Sequence, residues 1–335
     1  MRCTRLCSRR STAASKPKWN SSSSRRTAVS SICSTSLRLR FLRAGERRIS
    51  RSSLISPSRC AVKAQKAQDV ANFTESAKNL FATIGGILTS GLGWVGGTCR
   101  LLWQVTIRGF RRPFGIHDIF YHMVALGVRS LPLATLMSLF VGMVLTWQFG
   151  EALIGFGAKN AIGYASSLAL VRELVPVILA LTVGAKMATG MTAELGSMKV
   201  SEQIDAIASL GADPLKKLVW PRIVAATWSL PILAVWGNVL ALASGAVIAD
   251  IVFDVPADYF YETYIDELWP SDYLSGLAKS VVFGLLVGLI GCYQGLTTKY
   301  GTEAVGISTT NTVVATSVSI LSMDFLLTTL FLPVS

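Results

Sequence analysis

Residues 223–249 run for 27 positions without a charged side chain, and four other stretches of the chain are nearly as apolar. Inside a bilayer no water meets an exposed N–H or C=O, so a segment of that length must close its hydrogen bonds on itself as a helix. Spans are expected at about 120–150, 160–192, 223–249, 273–298 and 304–333. A further run of 21 uncharged residues, 79–99, contains six glycines and leads into Arg100, Arg108, Arg111 and Arg112. Its length permits a span, whereas the glycine content and basic flank favour a helix lying in the interface, where arginine meets anionic headgroups. The expected fold class is therefore all-α and integral to the membrane: an N-terminal interfacial helix over about 80–112, then five transmembrane helices.

Residues 194–222 break the apolar pattern between the second and third spans with a charged island. Val200, Ile204, Ile207 and Leu210 recur near helical spacing, while Ser201, Glu202, Asp205 and Ser209 take other faces. That pattern predicts a short amphipathic helix over 200–210, ended by Gly211. Asp213 before Pro214 reads as the N-cap and first position of a second helix, because proline has no N–H to lose there. Two helices joined by a tight corner result, outside the membrane.

Arg172, Glu173, Lys279 and Asp324 fall inside the apolar spans. Each costs at least ~2.5–3.5 kcal/mol there, so each needs a partner, a wet cavity or an escape to the interface. At 1.5 Å per residue, Glu173 lies about 20 Å from the start of its span at Asn160, Lys279 about 9 Å below Tyr273, and Asp324 about 10 Å from Phe331. The last two are placed to pair. Pro176 cannot bond to the carbonyl of Arg172, which frees an acceptor beside Glu173. Arg172–Glu173 as a structural pair and Lys279 as a snorkelling side chain are the alternatives to a polar-lined cavity. The cationic Arg172 and Lys279 favour an anionic ligand. Lys186 snorkels toward the opposite surface.

Gly284, Gly288, Gly291 and Gly295 mark the fourth span as a close-packing helix, within the chain or against a second copy. Thr309, Thr310, Asn311, Thr312, Thr316 and Ser317 make the first half of the fifth span polar, which suits burial in protein rather than lipid.

The net charge of +13 is misleading as a guide to partners. Residues 1–63 carry 16 Lys and Arg against the single acid Glu46, so the remainder is close to neutral and no nucleic-acid face is implied. A Ser-rich, acid-poor leader without an apolar core reads as an organellar transit peptide, plastid rather than mitochondrial, over 1–60, with 61–79 as linker. Of the cysteines, only Cys99 and Cys292 lie beyond it, so neither a disulfide framework nor a metal cluster is implied. His117 and His122 match no metal-ligand spacing, no phosphate-binding Gly-x4-Gly-Lys-Ser/Thr loop occurs, and no nucleophile elbow is present.

Loop charge sets orientation. Residues 250–272 hold seven acids and no Lys or Arg, while the 100–112 segment, Lys216, Lys217 and Arg222 flank the other face. The positive-inside rule therefore puts the charged island on the inner side and the acidic, aromatic loop outside.

Glu194-Leu195-Gly196, Met198-Lys199-Val200, Glu202-Gln203-Ile204-Asp205-Ala206, Leu210-Gly211, Asp213-Pro214 and Pro221-Arg222 together resemble the signature loop of the MlaE-type permeases. Leu131-Pro132-Leu133 and Arg172-Glu173-Leu174 before Pro176 extend the likeness, which covers about residues 80–335. Those permeases are the membrane subunits of ABC transporters that move phospholipids, and the leader suits a member in the plastid inner envelope. The resemblance implies that an ABC ATPase subunit in the stroma docks on a coupling surface of Glu194, Lys199, Val200, Glu202, Gln203, Ile204, Asp205, Ile207, Leu210, Asp213 and Pro214. It implies a lipid cavity at Arg172, Glu173, Lys279 and Asp324, a lipid-binding partner with a mammalian cell entry (MCE) domain in the intermembrane space, and a homodimer. It implies no cofactor on this chain, ATP being used by the partner, and a cargo such as phosphatidic acid carried toward the stroma. Two other classes stay open on residues alone: an ion-coupled secondary transporter using Glu173, Lys279 and Asp324, and a non-transporting envelope scaffold.

Overall fold

The computed structural model describes residues 86, 89, 91–109, 115–299 and 301–331, except for the side chain of Glu267. The leader and linker expected over 1–79 lie outside the described residues. The chain divides after Ala82, and everything described belongs to the second unit, Thr83–Ser335.

Residues 91–109 form the first described helix, α1. One face of it buries Thr98, Leu101, Val105 and Gly109, and another leaves Leu92, Val95, Trp103 and Ile107 exposed. Both faces are thus apolar, as a helix between protein and lipid requires. Helix α2 (Ile116–Gly127) leads through a 3₁₀ turn, Val128–Ser130, into α3 (Leu131–Gly155). Pro132 falls in the first turn of α3, where its missing N–H breaks no helical bond.

The second span is one continuous rod from Lys159 to Val200 that changes pitch twice. Helix α4 (Ile162–Ala169) passes into a π turn, Leu170–Leu174, then α5 (Val175–Leu179), a second π turn, Ala180–Gly184, and α6 (Ala185–Val200). The first π turn ends just before Pro176, whose ring would clash with the carbonyl of Arg172 in a regular helix. Widening the turn takes up that carbonyl.

After α6, Glu202 adopts a left-handed backbone (φ 58°) and α7 (Gln203–Ser209) turns away. The amphipathic helix is therefore shorter than the 200–210 expected, because α6 runs on through Val200. Gly211 at φ 80° ends it, a conformation that glycine adopts without a Cβ clash. Asp213 then caps the next segment, its Oδ1 accepting the Leu215 N–H at 3.1 Å. A π turn, Leu215–Val219, opens into α8 (Trp220–Phe253), which contains Pro231. Helices α10 (Pro270–Thr297) and α11 (Thr302–Phe331) complete five segments long and apolar enough to cross a membrane.

The acidic loop is not open chain. It holds α9 (Ala257–Glu267), pinned by Phe260, which is fully buried at the outer end of α3, α4 and α8. A readable signal was there: Asp250, Asp254, Asp258, Glu262 and Asp266 recur every fourth residue.

Helices α8 and α10 form the centre of the bundle, with α2 and α3 against α8 and α6 against α10. Every fourth residue of α3, namely Ala134, Ser138, Gly142, Thr146 and Gly150, is buried. A Cβ on Gly142 would lie 2.2 Å from the Ala241 carbonyl, so these backbones touch. The glycines of α10 serve the same end within the chain: Gly284 and Gly288 meet the backbone of α8, and Gly291 meets that of Ala188.

Helix α11 departs from expectation. Only Thr312, Thr316 and Ile320 are buried on it, while Thr310 and Asn311 are exposed. Burial of its polar half holds for one narrow stripe, because α11 packs on α6 and α10 at the edge of the bundle.

Candidate functional site

Three elements bring the membrane charges together. Glu173 sits in the first π turn, Lys279 on α10, and Asp324 and Thr328 on α11. Lys279 is almost wholly buried, and its Nζ donates to Glu173 Oε2 and, at 2.8 Å, to Thr328 Oγ1. Asp324 Oδ1 lies 3.4 Å from the same ammonium. Thr328 Oγ1 in turn reaches Glu173 Oε2 at 3.3 Å. The pairing of Lys279 with Asp324 is as expected, and Glu173 joins it despite a count that put it about 11 Å deeper. The long lysine stem and the wider π turn under Glu173 bridge that difference.

Arg172 does not pair with Glu173. Its Nη1 lies 3.4 Å from Oδ1 of Asp272, in the first turn of α10. Adjacent residues of one turn point to different sides, and Asp272, placed in the outer loop by pattern, is a member of the cluster that sequence reasoning missed. The five charges comprise two cations and three carboxylates, and both cations are engaged. The anionic preference read from Arg172 and Lys279 is therefore not that of free cations: any anion would reach Lys279 only by taking the place of a carboxylate. Glu173 and Asp324 remain partly accessible, which leaves room for that exchange. Lys186 lies apart from this cluster, its Nζ donating to the Arg129 carbonyl at 3.2 Å.

At the other end of the spans, α7 is tied back to the bundle. Lys199 Nζ bonds both carboxylate oxygens of Asp205 at 3.1 Å, bridging the bend at Glu202. Arg108 holds Asp213 at 3.3 Å. Arg222 is buried, donates to the Leu218 carbonyl at 2.7 Å and meets Glu194 Oε2 at 3.3 Å, so it joins the last turns of α6 to the first of α8. Of the apolar positions expected to form a contact face, Ile204 is buried in the chain's own core and Ile207 packs against it. Leu210 alone stands out, 85% exposed, beside Gln203, Ala206 and Ser209. Pro214 is half-buried at the corner and Val200 half-buried at the bend.

On α9, burial raises the Tyr264 phenol above its ordinary pKa, with Tyr273 adding to the shift. Among the described residues no group of His, Cys, Asp and Glu is placed to hold a metal.

The family model for the permease MlaE matches residues 119–330. The chain is 36% identical over 228 residues to the chloroplastic protein TRIGALACTOSYLDIACYLGLYCEROL 1 of Arabidopsis thaliana, covering 68% of this chain and 65% of that one. It is 34% identical over 222 residues to a probable ABC transporter permease protein of Rickettsia prowazekii, covering 66% of this chain and 86% of the relative. A probable ABC transporter permease protein of Synechocystis is 38% identical over 207 residues, 61% of this chain and 78% of that one.

Proposed function

The chain belongs to the MlaE permease family, and on that premise we propose that it is the membrane subunit of an ABC-type transporter moving phospholipid across the plastid inner envelope. The observation that carries this reading is the pairing of a largely exposed helix, α7, at one end of the Lys159–Val200 rod with a charge cluster around Glu173 farther along that rod. ATP is hydrolysed by a separate stromal subunit that grips α7 around Leu210, and this chain needs no cofactor of its own. Movement of α7 passes through the Lys199–Asp205 and Arg222–Glu194 pairs into α6 and α8, and along the second span to Glu173. There Lys279 exchanges a carboxylate for the phosphate of the incoming headgroup; the cation favours an anionic lipid, and phosphatidic acid is the cargo that the resemblance to the family suggests. An MCE-domain protein on the side of α9 delivers the lipid. A second copy covers α11, whose exposed Thr310 and Asn311 are costly against lipid.

Lys279 shared between two carboxylates also favours a second reading, proton-coupled transport without an ATPase. The test is mild-detergent purification of the tagged mature protein with assay of the ATPase that accompanies it. Wild type retains a nucleotide-binding subunit; Leu210→Asp loses it while staying folded. If wild type carries no ATPase, and transport survives ATP depletion but collapses with a protonophore, the ABC reading falls to the second.

A further inference from the structure

A cavity of about 240 Å³ opens where the end of α1, the first turn of α2 and the corner after α7 meet. Its lining includes Gly109, Asp118, Asp213, Lys216, Lys217 and Trp220. Gly109 rests against the Trp220 ring, where a Cβ would come within 2.3 Å of the indole carbons, so the ring forms a fixed wall.

The charges here are unevenly committed. Asp213 is held by Arg108 and also caps the Leu215 N–H. Its carboxylate is thereby compensated without drawing on either lysine. Neither the Lys216 nor the Lys217 ammonium forms a hydrogen bond or ion pair among the described residues, and Lys216 is half-buried. Two adjacent ammonium groups facing one cavity, with Asp118 as the one opposing carboxylate not in a pair with a cation other than its neighbour His117, leave an excess of positive charge. An anion relieves it. Lys216 and Lys217 lie in the first turn of the third span, and α1, whose Gly109 lines the cavity, leaves Trp103 and Ile107 exposed on another face, so the cavity lies at the level where lipid headgroups begin.

We propose that this corner binds the phosphate of an anionic membrane lipid, with Lys216 and Lys217 as its ligands and Trp220 as the wall. The site is separate from the Lys279 cluster and independent of the transport reading. A lipid seated there touches Asp213, the cap of the helix that follows α7, so the composition of this leaflet sets how firmly the corner is held.

The test uses the full mature chain, delipidated in detergent and titrated with phosphatidate, phosphatidylcholine or inorganic phosphate under native mass spectrometry. Phosphatidate binds in preference to phosphatidylcholine; Lys216→Gln/Lys217→Gln weakens that binding roughly thirtyfold, at about one surface lysine's worth each. Lys216→Arg/Lys217→Arg keeps it, and the Gln pair loses it with the Lys279 cluster untouched, which marks the bound lipid as belonging to the corner. Unchanged phosphatidate affinity in the Gln pair overturns the site. Displacement of phosphatidate by inorganic phosphate, bound equally well alone, overturns the lipid as its ligand.

Discussion

Lys279 is held by three side chains from two other elements, and removing it leaves Glu173 and Asp324 facing each other without a cation. A buried carboxylate deprived of its partner is worse than no charge at all. Lys279→Met is expected to destabilise the protein by about 2–4 kcal/mol, read as a fall in the detergent melting temperature. Adding Glu173→Gln and Asp324→Asn to the same chain restores most of that loss, because the two uncharged amides no longer repel and can still hydrogen-bond Thr328. If the triple variant is no more stable than the single, the cluster is not held by charge. At this scale the sequence announces which residues matter, since a charge in an apolar run has nowhere to hide. It does not announce the partners. Arg172 and Asp272 are 100 positions apart, and only the packing of α10 on the first π turn makes them neighbours.

Element by element, local chemistry was more readable. Asp213, Pro214 and Gly211 each do at the corner what their backbone preferences dictate. The periodicity over Val200 to Leu210 located α7 but not which of its apolar residues face outward, because a helix of two turns has apolar positions on both sides of it. Ile204→Asp is expected to destabilise the chain by about 3 kcal/mol, as an unpaired charge in the core, whereas Leu210→Asp leaves the stability within about 0.5 kcal/mol of wild type. Equal damage from both would place Leu210 inside. Glycine shows the same split between position and composition. A Cβ on Gly276 would lie 2.4 Å from the Val171 carbonyl, but nothing lies near one on Gly306. Gly276→Val is expected to cost about 1–3 kcal/mol and to part Arg172 from Asp272, while Gly306→Ala is neutral or slightly stabilising; thermal melts of the two variants decide it.

For the molecule as a whole, orientation is the property most open to a direct check. In a Cys99→Ser background, Lys217→Cys is expected to react with an impermeant maleimide only from the stromal side, and Glu262→Cys only from the intermembrane side; the reverse pattern inverts the topology. Five spans and their order were legible because each is long and apolar. Which helices lie at the centre was not, since α8 and α11 are similarly apolar, yet more than half of the first is buried and only three residues of the second. Burial here follows from small residues that let backbones meet, a property of facing pairs. That imbalance bears on how the protein is made. Helices α2 to α10 contain the close contacts of the bundle and can settle against one another first. Helix α11, least held by its own chain, brings Asp324 and Thr328 with it, so the charge cluster is completed only when that one helix docks.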